Sequence, residues 1–261
     1  NAHNNLGNTL SDLGQLDDAV KSYKKAVAVK PDYAEAHNNL GVTFKNLDQL
    51  DTAIKCYEKA LAIKPNYAEA HNNLGNAFKE LGQLDAALKC YKKAVALKPD
   101  FAESYHNRGD ALLNFKRMDE ALASYESAIA LDPDLDYLLG SSLHTKMHLG
   151  LWDNQVNHLS ELTKKINNGK KVISPFPLLS LTDDPKMQRK TAEIYANDKY
   201  PQSHVLPKIE RYQKHNKIRI GYFSTDFRDH PVSHLTAELY EVHDRERFEI
   251  HAFSFGPDTK D

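Results

Sequence analysis

Cysteine is nearly absent from this sequence: its 261 residues hold two, Cys56 and Cys90. They stand 34 residues apart at equivalent places. That is repetition rather than a disulfide framework, and it fits a reducing compartment and a cytoplasmic setting. An excess of either charge is also lacking. The net charge of −2 offers no bulk attraction to nucleic acid or to an anionic membrane, so neither is expected as a partner. The longest apolar run, 172–181, carries Pro175 and Pro177 and falls far short of a membrane span. No basic segment followed by an apolar one opens the chain, so no signal peptide is expected. Neither a GxGxxG stretch nor a Walker sequence occurs, which removes any recognisable dinucleotide or P-loop site. The composition is that of a globular protein, 41% hydrophobic and 27% charged, with length for one large or two ordinary domains. Asn1 lies inside a helix pattern and Asp261 just follows an expected strand, which reads as a piece cut at both ends.

Repetition dominates residues 1–135. Pro31, Pro65, Pro99 and Pro133 are each 34 residues apart. Gly7, Gly41, Gly75 and Gly109 keep the same period, as do Ala19, Ala53, Ala87 and Ala121, and Tyr23, Tyr57, Tyr91 and Tyr125. A helix–turn–helix period of this length with small residues at set places is the tetratricopeptide signature. Gly41 lets the first helix of its repeat approach the second, Ala53 and Ala60 do the same from the other side, and Tyr57 fills the gap. Leu40 and Phe44 complete an apolar stripe at helical spacing. Pro65 ends the second helix, because the residue before a proline is biased away from the helical region. No repeat buries its apolar face alone, so the array is expected to stack into a superhelix with a concave groove.

Asn5, Asn39, Asn73 and Asn107 form a further column. An amide side chain carries both donor and acceptor, so a stack of them facing the groove can pair with successive peptide units of an extended ligand. The alternative is that they solvate the groove or bind neighbouring backbone. His3, His37 and His71 lie in different repeats and are expected to serve packing and solvent rather than a metal. Asp132-Pro133-Asp134 falls on the repeat's own proline column and reads as a turn. No metal is assigned.

Residues 136–168 continue the register as a degenerate capping repeat, with helices expected over 136–149 and 152–168 and with Leu138, Leu139 and Trp152 available to cover a junction. A transition spans 169–216. Within it, 173–181 is expected to be extended but packed. Asp183-Asp184-Pro185 should start a helix through an acidic N-cap and a proline at the first position. The basic stretch 208–217 reads as solvated surface. In 217–261 a strand through Ile218, Ile220 and Tyr222 leads into a polar loop, a helix from about Pro231 and a second strand over 248–255. Both strands are expected to be buried. The unit is βαβ with a right-handed crossover. The fold class is therefore mostly α, a tetratricopeptide superhelix followed by a small, partial Rossmann-like βαβ piece. His230 stands beside the expected helix N-terminus with Asp226, Asp229 and His234 nearby. A neutral histidine there can accept a proton from a hydroxyl nucleophile; a plain N-cap is the competing role.

Asparagine-bearing repeats, a helical transition and then KIRIGYFSTDFRDHPVSHLTAELYEVHDRERFEIHAFSFGPD together resemble the protein O-GlcNAc transferases and the related Spindly-type O-fucosyltransferases. The specific part is GYFSTDFRDHPVSH, similar to the opening of that family's amino-terminal catalytic lobe. The resemblance implies inverting transfer of a sugar, N-acetylglucosamine above all, from a UDP-sugar donor to Ser or Thr of intracellular proteins. It implies that His230, the first histidine of HPxSH, lies on the acceptor side as a candidate base, and that Asn5, Asn39, Asn73 and Asn107 contact extended protein segments. Arg108 departs from the Leu that precedes Gly in the other repeats. The family's nucleotide-sugar pocket lies largely in a second lobe, so these residues alone are expected to be inactive and to bind no cofactor. The bare edges of a two-stranded piece leave self-association open, through the strands or the repeats. The competing class is a non-enzymatic tetratricopeptide scaffold.

Overall fold

The computed structural model describes residues 1–200, 216–224 and 242–254. They fall into two compact units, Asn1–Gln202 and Ser203–Asp261.

The first unit opens with four helix pairs, α1 (Ala2–Asp12) with α2 (Leu16–Val29), α3 (Ala34–Asn46) with α4 (Leu50–Ile63), α5 (Ala68–Glu80) with α6 (Leu84–Leu97), and α7 (Ala102–Asn114) with α8 (Met118–Leu131). Each helix packs on the next, and each odd helix also touches the next odd helix, so the odd helices form one continuous layer. The contact within a pair is the one the glycine–tyrosine columns imply. A Cβ placed on Gly7, Gly41, Gly75 or Gly109 would stand 2.4–2.6 Å from the ring of Tyr23, Tyr57, Tyr91 or Tyr125. The ring therefore lies flat against bare backbone, and Ala53 and Ala60 beside Tyr57 are fully buried.

The odd helices stop for a local reason. Gly14, Asp48, Gly82 and Lys116 all hold φ between 57° and 73°. That left-handed residue turns the chain so that the next amide reaches back five residues: Gln15 N donates to Leu10 O, Gln49 N to Phe44 O, Gln83 N to Phe78 O and Arg117 N to Leu112 O, at 2.8–3.0 Å. This closure satisfies carbonyls that a helix end leaves open. The loops between repeats are tied by histidine: Nε2 of His37 donates to Pro31 O at 3.0 Å and that of His71 to Pro65 O at 2.9 Å.

Residues 136–168, expected to form a degenerate repeat, hold α9 (Leu138–His148) and α10 (Gln155–Asn167), followed by α11 (Pro175–Leu179) and α12 (Pro185–Lys199). Leu138 is fully buried against Leu88, Leu112 and Tyr125 and so seals the fourth repeat. Trp152, expected to share that task, is 53% exposed. It precedes Asn154, whose left-handed φ of 56° delays the helix start and leaves Trp152 in the turn before it. The stretch expected to be extended is packed, but as a short helix: α11 begins with Pro175 at a first-turn position, where its fixed φ and missing N–H cost nothing. Its Leu178 joins Leu143, Leu162, Ile166, Val172, Ile173 and Met187 in a second core. The glycine column is lost at 143, but Gly140 takes a similar part. It donates its N–H to Val172 O at 2.8 Å, and a Cβ there would stand 2.7 Å from the Cα of Ile173. Asp184 caps α12 by accepting from the amides of Lys186 and Met187.

In the second unit β1 (Ile218–Ser224) and β2 (Phe248–Ser254) pair in parallel, with Ile218 opposite Phe248 and Ser224 opposite Ser254. The expectation that both strands are buried is corrected. Ile218 is 60% and Phe253 45% exposed. Parallel strands bury both faces only where helices cover them, and the crossover 225–241 lies outside the described residues.

Candidate functional site

The asparagine column lies on the odd-helix layer, and the side chains of Asn39, Asn73 and Asn107 are already engaged. Asn39 Nδ2 donates to Asn4 Oδ1 at 3.3 Å and to Asn8 Oδ1 at 3.1 Å. Asn73 donates to Asn38 Oδ1 at 3.0 Å, and Asn107 to Asn72 Oδ1 at 3.1 Å. Each bond runs from one repeat to the previous one. The acceptors Asn4, Asn38 and Asn72 are a second column, one residue earlier, which the sequence reading did not single out; all three are buried. The signal was present, as the pair Asn-Asn at 4–5, 38–39 and 72–73. Asn5 is exposed on α1.

The array's last odd helix varies the pattern. His106 stands in the buried column, with Nε2 3.4 Å from Ser141 Oγ and 3.6 Å from Asp110 Oδ1. Burial holds its imidazole below the usual range, against the pull of Asp110. Asp110 also accepts from Tyr125 at 2.9 Å and pairs with Lys79 at 3.2 Å. Arg108 donates from Nε to Ser124 Oγ at 3.0 Å and lies over the Tyr105 ring. Its guanidinium thus replaces a leucine contact with one polar bond and one ring contact.

Two hollows open along this layer. One of about 290 Å³ is lined by Asn8, Asp12, Tyr23, Asn39 and Val42. The other, about 500 Å³, is lined by Lys79, Asp110, Leu113 and Asn114. Both mix amide, acid and apolar surface, a suitable lining for backbone and short side chains. Asn73 and Asn107, which each spend one N–H on the previous repeat, keep a second N–H and carbonyl lone pairs for a ligand, whereas Asn39 spends both N–H groups there. Cys56 and Cys90 are free, and burial raises both thiols, Cys90 to about 11. A raised thiol disfavours the thiolate, the nucleophilic form.

In the second unit, the Tyr222 hydroxyl and His243 Nε2 are 3.0 Å apart, and Arg219 pairs with Glu249 across the strands at 2.8 Å. His230, with Asp226, Asp229 and His234, lies outside the described residues. At the end of the array, Asp132 Oδ1 accepts from Asp134 N at 3.0 Å and Asp134 pairs with Lys165 at 3.0 Å. Those bonds make Asp132-Pro133-Asp134 a capped turn. No group of three or more His, Cys, Asp or Glu able to hold a metal occurs among the described residues.

Residues 7–48, 47–82 and 75–114 match the family described as "TPR repeat", and 102–135 match "Tetratricopeptide repeat". Residues 193–261 match "Glycosyl transferase family 41". The chain therefore combines tetratricopeptide repeats with a segment similar to the family 41 glycosyl transferases. It is 27% identical over 128 residues to a probable UDP-N-acetylglucosamine–peptide N-acetylglucosaminyltransferase of Arabidopsis thaliana. A UDP-N-acetylglucosamine–peptide N-acetylglucosaminyltransferase of Caenorhabditis elegans is 43% identical over 42 residues. These matches cover 43% and 16% of this chain, but 13% and 4% of the relatives. Among solved structures, pilF of Pseudomonas aeruginosa has a TM-score of 0.62 at 22% identity, covering 77% of this chain and 92% of its own. YrrB, titled a TPR protein with an unusual peptide-binding site, has a TM-score of 0.51 at 20% identity, covering 73% and 90%. Both likenesses concern the fold. No helix among the described residues is long and apolar enough to cross a membrane.

Proposed function

We propose that the odd-helix layer binds an extended segment of an acceptor protein and delivers its Ser or Thr hydroxyls to a sugar-transfer centre to which residues 217–261 contribute. One observation carries the reading: a layer lined by repeating asparagines and a family 41 glycosyl transferase segment occur in one chain. Neighbouring helices stand roughly 8–10 Å apart and an extended peptide advances about 3.3 Å per residue. An amide contact every third residue or so is therefore feasible, and because it addresses backbone it is independent of sequence. The sugar is N-acetylglucosamine, in keeping with the relatives' names, and the UDP-sugar donor is a co-substrate. His230 is the candidate base. It takes the proton of the hydroxyl as the oxygen attacks the anomeric carbon from the face opposite UDP, which leaves, with inversion. Binding along the repeats holds the hydroxyl in place for that attack. The free thiols suit a cytoplasmic, reducing setting. Self-association through the repeats or the strand edges belongs to the same reading and is checked by light scattering.

The second reading, a non-enzymatic peptide-binding scaffold, is favoured by the likeness to structures such as YrrB. Two measurements separate them. Extended Ser/Thr peptides should bind the chain, and the joint change of Asn5, Asn39, Asn73 and Asn107 to Ala should weaken binding at least tenfold with helicity retained. Binding indifferent to that change removes the asparagine layer from the account. In the full-length protein, mass spectrometry should find N-acetylhexosamine on the peptide hydroxyl, lost on His230→Ala. Peptide binding without any transfer favours the scaffold.

A further inference from the structure

Helix α9 carries His144 and His148 one turn apart, with their Nε2 atoms 3.1 Å from each other and their ring planes 87° apart. His144 is half-buried and His148 exposed. Neither joins the cores around them, and the peptide layer proposed above makes no use of them. Two ring nitrogens each about 2.1 Å from one metal ion stand about 3.0 Å apart at a right angle and about 3.4 Å apart at the tetrahedral angle. The separation in α9 falls inside that window.

We propose that His144 and His148 form a chelating site for a divalent late transition-metal ion: Cu²⁺, Ni²⁺ or Zn²⁺. Imidazole suits these ions, whereas Mg²⁺ and Ca²⁺ require oxygen ligands. Residues four apart on a helix share one face, so the backbone holds both rings in place and no loop has to reorganise. Without metal, one Nε2 donates a hydrogen bond to the other. With metal, both protons sit on Nδ1 and both Nε2 lone pairs face the ion. Residues that could complete a closed set of protein ligands do not gather there among the described residues. Water or a group of a bound molecule fills the remaining positions, so the site exchanges its ion readily, unlike a closed structural zinc site.

A local reporter is built in. Trp152 is the only tryptophan and follows His148 by four residues. Four residues span at most about 14 Å, within reach of quenching by paramagnetic Cu²⁺. Titration of the 261-residue chain with Cu²⁺ should quench Trp152 saturably at one ion per chain, with reversal by EDTA and by excess Zn²⁺. His148→Gln and His144→Gln should each raise the half-saturating concentration at least tenfold, about 1.4 kcal/mol. Joint replacement of His230 and His234 by Gln, the other pair four apart, should leave the titration unchanged. Circular dichroism verifies folding. Should His144→Gln disturb the helix, His148→Gln at its exposed position decides alone. Quenching that is unsaturable, or that is the same in His148→Gln as in the wild type, overturns the proposal.

Discussion

The Tyr91 hydroxyl donates to Asn76 Oδ1 at 2.7 Å, between the two helices of the third repeat. The same bond joins Tyr23 to Asn8 at 2.8 Å and Tyr125 to Asp110 at 2.9 Å, always fifteen residues apart. The second repeat breaks the series. Val42 stands where the acceptor belongs, and the buried Tyr57 hydroxyl has no hydrogen-bond partner among the described residues.

Removing the two hydroxyls should therefore have opposite results. Tyr91→Phe forfeits a made bond and should cost about 0.5–1.5 kcal/mol, whereas Tyr57→Phe removes an unpaired buried group and should be neutral or stabilising. Val42→Asn should turn Tyr57→Phe into a costly change, with a coupling of roughly 0.5–1.5 kcal/mol in a double-mutant cycle. Urea denaturation of the three single variants and the double variant tests this. Equal losses for Tyr57→Phe and Tyr91→Phe would contradict it.

The turn column makes a second expectation. Gly14, Gly82 and Gly150 hold left-handed φ of 70–73°, and Lys116 holds 58° with a side chain that disfavours it. The left-handed state costs an ordinary residue about 1–2 kcal/mol, and glycine's extra freedom in the unfolded chain takes back about half of that. Lys116→Gly should stabilise by roughly 0.5–1 kcal/mol. Asp48→Gly should gain less, because aspartate visits this region more easily. Thermal midpoints of the two single variants rank them, and a loss of stability on Lys116→Gly refutes the argument.

A third expectation concerns acid. Burial lowers the pKa of His106 in the folded protein, while in the unfolded chain it returns to about 6.5. Below that value the unfolded chain binds the proton first. The contribution is fully present above about pH 6.5 and is lost as pH falls from there towards the folded pKa. His71 and His144 are shifted in the same direction by burial. His106→Asn restores the asparagine of the other repeats and removes one of the three groups. Its stability should fall less than the wild type's between pH 7.5 and pH 5.5, measured by urea midpoint. Parallel curves would assign the loss elsewhere.

The sequence by itself determined the repeat. Gly, Ala, Tyr and Pro recur because each does its work within one helix pair, through close approach, ring packing or helix termination, and a period reports such local roles directly. Asp184-Pro185 likewise announced its helix, since a cap acts within one turn. Tertiary structure alone decided where the asparagine amides point. Their partners lie 31 or 35 residues away, and only the stacking of one repeat on the next brings Asn73 to Asn38. It also decided that 175–179 is helical, because the apolar pocket around Leu178 outweighs the extended preference of two prolines, and that β1 and β2 stay half exposed. Hydrophobic alternation shows which residues share a face but not whether another element covers that face.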